Sequence, residues 1–128
     1  MSIRRIEQDL DRFAAKVVRS ISRSVAERLP EDTPKQTGFT ASNWVASVGV
    51  PFAGVAGSRQ AVNKGAQEAG LAEISRYSSL KLGTIFVVNN TDSIVLLNAG
   101  SSPQAPANFV DASIRAALAE PITYGGGA

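Results

Sequence analysis

The fold depends on the stretch Thr33-Pro34-Lys35-Gln36-Thr37-Gly38, which is followed after four residues by Asn43-Trp44. A proline disfavours helical geometry in the residue before it, and a Thr-Gly pair supplies a turn, so this stretch separates the elements on either side. The chain has a single tryptophan and few other aromatic residues, and such a side chain is typically part of the core. We therefore expect a turn that leads into a core strand, formed by Thr33, Pro34, Thr37, Gly38, Asn43 and Trp44.

The chain upstream of this turn has the pattern of a long amphipathic helix. Its apolar residues recur at spacings of three and four, which keeps them on one slowly drifting face of an α-helix. They are Ile3, Ile6, Leu10, Phe13, Val17, Ile21, Val25 and Leu29. At 1.5 Å per residue this helix would be about 40 Å long, so we expect part of it to project or to serve a neighbour. Pro30 should end the helix at Leu29.

The chain downstream of the turn alternates between apolar and small or polar residues over positions 39–50. A period of two indicates a strand with one face on the core. The core-facing residues would be Trp44, Ala46, Val48 and Val50. Asn43 is disfavoured in a strand unless its amide has partners, so we expect it to hydrogen-bond to a loop backbone.

Weaker patterns fill the middle of the chain. Residues 60–77 are weakly helical, although Gly65 and Gly70 each cost on the order of 1 kcal/mol relative to alanine. Residues 84–90 are rich in β-forming side chains and end in an Asn-Asn pair. Residues 94–97 form another short apolar run.

The last part of the chain should be a loop followed by a helix. The loop, residues 101–107, is rich in alanine and proline, which lowers the entropy lost on ordering and favours a docking segment. Its candidate docking residues are Ser102, Pro103, Gln104, Ala105 and Pro106. Asn108 should cap a helix that ends near Glu120, with its side chain accepting the N–H of Asp111. We assign residues 1–120 to a single domain and residues 121–128 to a flexible tail.

The composition excludes several classes of function. The chain of 128 residues has no cysteine and no histidine, so it lacks thiolates, the commonest general base and the commonest metal ligand. It has no nucleophile or phosphate-loop motif, and we expect no enzyme activity, no cofactor and no metal site. The net charge of +2 is small for a dedicated nucleic-acid-binding domain. No apolar run is long enough to span a bilayer, so we expect a soluble protein without a membrane partner.

Basic residues form a stripe along the predicted N-terminal helix. At 100° per residue they fall within an arc of roughly 60°, on the side away from the apolar face. They are Arg5, Arg12, Lys16, Arg19 and Arg23. Three interpretations stay open: a solvated helix face, pairing with acidic residues of an adjacent subunit, or contact with DNA phosphates. Acidic residues interrupt the stripe near its start, which disfavours membrane binding.

In their order along the chain, these segments resemble the small neck and tail-completion proteins of tailed bacteriophages, which stack as rings between the portal and the tail tube. Proteins of this family have a long N-terminal helix, a T-P-x-x-T-G-x-x-x-x-N-W motif before a β-sheet, a strand ending in Asn-Asn, and a Q-A-P loop before the last helix. The corresponding segments here are residues 3–29, 33–44, 85–90 and 104–109, and the resemblance spans roughly residues 3–118.

The chain departs from the family pattern in two places. Family members often carry an aromatic residue after Asn-Asn, where this chain has Ser93 or Ile94. They also often carry an acidic residue just before the later glycine, where this chain has Asn98-Ala99-Gly100. These departures concern the details of ring contacts.

The resemblance implies an α+β fold in which a small, sandwich-like antiparallel sheet is flanked by a long N-terminal helix and a shorter C-terminal helix. It implies a virion protein, made in the bacterial cytoplasm, that forms a ring in the phage neck and joins the DNA-filled head to the tail tube. Its partners would be copies of itself, in six-fold or alternatively twelve-fold symmetry, the portal or adaptor protein, the tail-tube protein and, without sequence recognition, genomic double-stranded DNA. The alternatives are a tail terminator or tail-tube-like subunit and, more remotely, a basic DNA-binding accessory protein.

Overall fold

The longest element is helix α1 (Ile3–Asp32) in the computed structural model, which describes residues 2–34, 38–55, 64–100 and 107–122. Ser2 caps the start of α1, because its hydroxyl accepts the backbone N–H of Arg5 at 3.2 Å. The long N-terminal helix that the apolar periodicity predicts is therefore confirmed, and it begins at the predicted residue.

The end of α1 differs from the prediction. The helix passes through Pro30 and ends at Asp32, so the expected end at Leu29 is wrong. A proline at position 30 removes its own hydrogen bond to the Ala26 carbonyl, and its ring crowds that carbonyl, so the turn needs other contacts to stay helical. The Leu29 carbonyl still accepts the backbone N–H of Thr33 at 3.1 Å, and Leu29 and Pro30 are both buried. Tertiary packing thus keeps the last turn helical in spite of the proline.

Two strands, β1 (Trp44–Val48) and β2 (Ile85–Asn89), form an antiparallel sheet. Trp44 lies opposite Asn89, and Val48 lies opposite Ile85. The fold is α+β as predicted, with a small antiparallel sheet flanked by a long N-terminal and a shorter C-terminal helix. The β-rich run that ends in Asn-Asn is confirmed as a strand.

Strand β1 is shorter than the predicted strand over residues 39–50. Ala41–Asn43 is a turn of 3₁₀ helix, held by the backbone N–H of Asn43, which donates to the Thr40 carbonyl at 3.1 Å. At the other end, Gly49 has a φ of 90° and Val50 is 74% exposed, so Val50 does not face the core. The alternating pattern continues into turns, where a period of two has no structural meaning.

Helix α2 (Lys64–Ser75) packs on β1 and completes the core. Buried Ala26 of α1, Ala46 of β1 and Ile74 of α2 meet at its centre. A Cβ at Gly70 would lie 2.9 Å from the Cβ of Ala46, which is too close for two carbon atoms. Position 70 therefore requires glycine, because α2 lies too close to the sheet for any side chain there. Residues 60–63 of the predicted helix lie outside the described residues.

The apolar run at residues 94–97 is helical and belongs to α3 (Ser93–Asn98). Four residues are barely more than one helical turn, so their apolar character alone could not distinguish a helix from a strand.

Helix α4 (Phe109–Ala119) forms at the predicted position, but its cap is not the predicted one. Asn108 has the left-handed φ of 64°, and its side chain makes no capping hydrogen bond. The first turn is capped by the Asn98 side chain instead, whose Oδ1 accepts the backbone N–H of Val110 at 3.1 Å. Residues 123–128, most of the predicted tail, lie outside the described residues.

Candidate assembly surfaces

The predicted turn and core motif holds the C-terminal end of α1 against the start of β1. The Thr33 hydroxyl donates to the Leu29 carbonyl at 2.5 Å and accepts the indole N–H of Trp44 at 2.8 Å. Thr33 and Trp44 are both buried. One threonine side chain therefore links the last turn of the helix to the first core residue of the sheet.

The other described members of the motif have structural partners as well. The Asn43 amide donates to the Phe39 carbonyl at 2.9 Å, which confirms the expected hydrogen bond to a loop backbone. Pro34 is buried, and Gly38 has a φ of 82°, a conformation that favours glycine. Thr37 lies outside the described residues. The motif shapes the fold, and its described side chains are used within the chain.

The candidate docking residues lie outside the described residues, so their role stays a prediction. They are Ser102, Pro103, Gln104, Ala105 and Pro106. Both ends of this segment are held at one place in the fold. The backbone N–H of Asn108 donates to the Asn98 carbonyl at 2.7 Å, and a Cβ at Gly100 would lie 3.2 Å from that of Ala107.

Helix α1 uses one side to contact the sheet and α2. On this side Ala15 and Ala26 are buried, 11 positions apart, which is about three helical turns. Leu29, buried near the C-terminal end, belongs to the same half of the helix circumference. These small or well-packed side chains let α1 lie close to the core.

The same side of α1 meets the body near its N-terminal end at Asp11. The Asp11 carboxylate accepts the backbone N–H of Leu80 at 2.9 Å. A hydrogen bond from the Ser79 side chain, followed by the Leu80 bond and by the charges of Lys81 and Arg12, lowers the pKa of Asp11. Residues 2–10, on the N-terminal side of this contact, are all exposed.

A second side of α1 carries α4, which runs antiparallel to it. The Ser113 hydroxyl donates to the Asp32 carboxylate at 2.7 Å near the start of α4. At the other end, the Glu120 carboxylate accepts the Ser24 hydroxyl at 2.8 Å and forms an ion pair with Arg28. The Ser24 hydrogen bond and then the Arg28 interaction lower the pKa of Glu120. Helix α4 thus covers the part of α1 between residues 24 and 32.

The apolar face of α1 continues beyond the end of α4 and is exposed there. Leu10 and Arg28 are 18 positions apart, about five turns at 3.6 residues per turn, so both project from the α4 side of the helix. Leu10 is 63% exposed, Ile3 is 75% exposed and Ile6 is 43% exposed. We term these three residues the N-terminal strip. Phe13 is 54% exposed at its inner end.

Helix α4 has an exposed apolar face of its own. Ile114 is 36% exposed and Leu118, one turn later, is 57% exposed. We term this pair the outer face of α4. It is bordered by an exposed ion pair between Arg115 and Asp111 at 3.1 Å. The N-terminal strip and the outer face of α4 are thus two separate exposed apolar surfaces, and Val95 and Leu96 on α3, 72% and 64% exposed, form a third.

The members of the basic stripe differ in their surroundings. Arg5, Arg12 and Arg23 are exposed, whereas Lys16 and Arg19 are half-buried. The Arg19 guanidinium donates to the Tyr77 carbonyl, so this residue supports the fold. These five residues, all of which the structure describes, therefore do not form a stripe of five equivalent exposed charges.

Two exposed arginines of the stripe pair with carboxylates on α1 itself. Arg23 lies 2.8 Å from the Glu27 carboxylate, and Arg12 lies 3.9 Å from that of Asp9. Exposed pairs of this kind contribute little to stability. Both arginines can therefore exchange their intrahelical carboxylate for an anionic group of a partner at little cost.

Sequence reasoning missed the polar contacts that attach α4 to α1. The sequence marks Glu120 only as the end of a helix, yet it binds Ser24 and Arg28, which precede it by 96 and 92 positions. Periodicity detects neighbours within a few turns, so a single sequence carries no signal for a contact of this separation.

The comparisons with known proteins give no relatives, since no family model, curated protein or solved structure matches this chain. In residues 2–34, 38–55, 64–100 and 107–122 no cluster of three or more carboxylates is suited to hold a metal ion. None of the helices among these residues is long and apolar enough to cross a membrane.

Proposed function

We propose that this protein is a structural virion protein of a tailed bacteriophage that forms a ring in the neck and joins the DNA-filled head to the tail tube. The order of four segments supports this proposal: a long N-terminal helix, the T-P-x-x-T-G-x-x-x-x-N-W motif, a strand ending in Asn-Asn and a Q-A-P loop. Neck and tail-completion proteins have these segments in the same order.

The observation that carries the proposal is the exposed N-terminal strip. Fully burying a Leu or Ile side chain gains about 1.5–3 kcal/mol, so a helix that leaves three of them exposed favours association. Identical subunits that each offer two different surfaces can close into a ring without leaving an open edge. A six-fold ring is our first expectation, and a twelve-fold ring is the alternative.

Each surface has a place in this proposal. The N-terminal strip and the outer face of α4 provide contacts between subunits, and residues 102–106 dock on the portal or adaptor protein or on the tail-tube protein. The exposed arginines of the stripe, Arg5, Arg12 and Arg23, face either an adjacent subunit or the genomic DNA. We assign the protein no catalytic role and no cofactor, because the chain has no histidine or cysteine and no nucleophile motif.

Deletion of the gene from the phage genome that encodes it tests the proposal. We expect full heads and complete tails to accumulate without being joined, and complementation to restore joined particles. Electron cryo-microscopy of wild-type particles should show the protein as a ring between portal and tail tube. Normal joined particles without the protein would overturn the proposal, whereas tails of uncontrolled length would favour a tail terminator.

The docking segment has a separate test in Gln104→Ala. Because this residue is assigned to contact with a neck partner, the variant should keep the wild-type melting temperature and give fewer joined particles. A lower melting temperature, measured by circular dichroism, would show that the segment supports the fold instead.

The exposed arginines favour DNA binding as a second candidate function. Counterion release makes binding to phosphates weaken steeply between low and physiological salt, whereas a ring with an apolar interface should persist. Titration of purified protein with double-stranded DNA at several salt concentrations distinguishes the two. DNA binding that weakens steeply as salt is added, together with the absence of rings, would favour the DNA-binding protein.

A further inference from the structure

We propose that the N-terminal strip of one copy packs on the outer face of α4 in the next copy, head to tail. The proposal rests on the proposed ring function and specifies which two surfaces meet. Ile3, Ile6 and Leu10 would lie against Ile114 and Leu118 of the neighbouring copy.

The first argument is the continuity between the N-terminal strip and the interface of α1 with α4. Helix α4 covers this side of α1 from Asp32 to Ser24, where Glu120 accepts the Ser24 hydroxyl. Leu10 lies 14 positions before Ser24, about 21 Å farther along the helix, and is 63% exposed. One chain thus supplies a covering helix for the C-terminal part of this side only, and the aliphatic residues of its N-terminal part stay exposed.

The second argument is that the two exposed surfaces are of the same kind and separate. Both are helix faces with aliphatic side chains one turn apart, which allows ridges of one helix to pack into grooves of the other. The N-terminal strip lies on an arm remote from α4, because α4 ends at Ala119 beside Ser24. A contact between the two surfaces therefore requires a second copy, and repetition of that contact generates a ring where the rotation between copies closes.

The third argument is charge. The arm that carries the N-terminal strip has two acidic residues, Glu7 and Asp9, and two basic ones, Arg4 and Arg5. Arg115, next to Ile114 on α4, has a side chain that is 80% exposed. Glu7 borders the N-terminal strip, so opposite charges meet at the edge of the proposed contact.

The size of the contact explains why it would need a ring. An arm of residues 3–10 is about 12 Å long and a helix is about 10 Å across, far less than the roughly 800 Å² per partner of a stable interface. One such contact would hold two copies only weakly. In a closed ring each subunit makes two of them, and neck partners add further contacts.

Cysteine cross-linking tests the contact. The natural chain has no cysteine, so any cross-linked product must come from the introduced cysteines. One chain carries Leu10→Cys, a second chain carries Leu118→Cys, and the two are mixed at high concentration with a short bismaleimide. Both positions are exposed, so both variants should fold. We expect the mixture to give a cross-linked dimer in excess of the product of either variant alone.

Two controls make this result decisive. Leu10→Cys alone would give the dominant product if arms packed on arms. Leu10→Cys mixed with Val95→Cys, at a position on α3 that is 72% exposed, would give it if any exposed apolar residue sufficed. Either outcome overturns the proposal, and so does the absence of a product between Leu10→Cys and Leu118→Cys.

The charge pair gives an independent measurement. Arg115→Glu should lower the yield of the cross-linked product about twofold to fivefold, the range expected for an exposed pair, and Glu7→Arg in the partner chain should restore it. Failure of the two proposals can be distinguished. Rings in virions without this cross-link overturn the contact alone, whereas the cross-link in a protein that virions lack overturns the neck function alone.

Discussion

The two ends of α1 share one apolar periodicity but have different surroundings. Toward the C-terminus, Leu29 is buried, and α4 covers the side that carries Arg28. Toward the N-terminus, Ile3 and Leu10 remain 75% and 63% exposed. The pattern of a sequence shows which side of a helix is apolar, whereas the length of the neighbouring elements decides how much of that side one chain can bury.

This difference separates two roles within one helix. The C-terminal part should determine whether the chain folds, because its side chains lie in the core. The N-terminal part should determine whether folded chains associate. Substitutions in the two parts should therefore affect different measurements.

The largest expected effect is in the packed part. Trp44→Ala should lower the free energy of unfolding by about 3–5 kcal/mol, because it empties a buried site and removes the hydrogen bond to Thr33 at the end of α1. Leu10→Ala, its counterpart on the exposed arm, should change the same quantity by no more than about 0.5 kcal/mol. Urea denaturation followed by circular dichroism measures both, and equal losses would contradict the contrast between the packed body, to which Trp44 belongs, and the exposed N-terminal part of α1.

A smaller effect tests how tightly the packed part is built. Gly70→Ala should lower the free energy of unfolding by about 1–3 kcal/mol, because the new Cβ would lie 2.9 Å from that of Ala46. Gly65 lies in the same helix, and a Cβ there would meet no atom of another element within 4 Å, so Gly65→Ala should stabilise by about 0.5–1 kcal/mol. Stabilisation by both changes in thermal denaturation would show that α2 does not approach the sheet this closely.

The pH dependence of folding tests the attachment of α4. The Ser24 hydroxyl and Arg28 lower the pKa of Glu120 below that of an unfolded glutamate, about 4.3. Its contribution to stability is therefore present above that value and is lost as the pH falls through the lowered pKa. Glu120→Gln should have a lower melting temperature than the natural protein at neutral pH, and the difference should shrink in acid.

The matched control for this pH series is Glu7→Gln, on the exposed part of α1. It should leave the melting temperature at neutral pH nearly unchanged. A difference between Glu120→Gln and the natural protein that stays constant from neutral to acidic pH would contradict the proposed contribution of the carboxylate charge.

The smallest expected effect concerns the basic stripe. Arg12→Glu should change the free energy of unfolding by no more than about 0.5 kcal/mol, because the side chain is exposed. Arg19→Glu should cost more, since this half-buried guanidinium donates to the Tyr77 carbonyl. Thermal denaturation compares the two, and similar stability of both variants would show that Arg19 belongs to the solvated stripe after all.

The elements with clear periodicity or turn chemistry could be predicted from the sequence. The start of α1, the strand that ends at Asn89 and the position of α4 all follow from local patterns. The surroundings of Trp44 and Asn43 could be predicted as well, because a large aromatic side chain and an amide each have a strong requirement for partners.

The remaining features depend on contacts between distant residues. Asn108 has the residue type of a cap, but Asn98 on another helix binds the first turn of α4 instead. Helix propensity predicts that Gly70 destabilises α2, whereas its short distance from Ala46 leaves no room for a side chain at this position. The attachment of α4 through Glu120 likewise has no local signal. The sequence therefore predicts the apolar face of α1 but does not predict how much of α1 is covered by α4.

The hydrogen bond between Asn108 and the Asn98 carbonyl makes this fold suitable for grafting. The chain leaves α3 and enters α4 at one point, so a segment inserted between them starts and finishes at neighbouring positions: a Cβ at Gly100 would lie 3.2 Å from that of Ala107. Each doubling of the length of a flexible loop costs only about 0.6 kcal/mol of closure entropy. An epitope tag or a foreign recognition peptide in place of residues 101–106 should therefore leave both flanking helices in place, at the expense of the proposed docking residues.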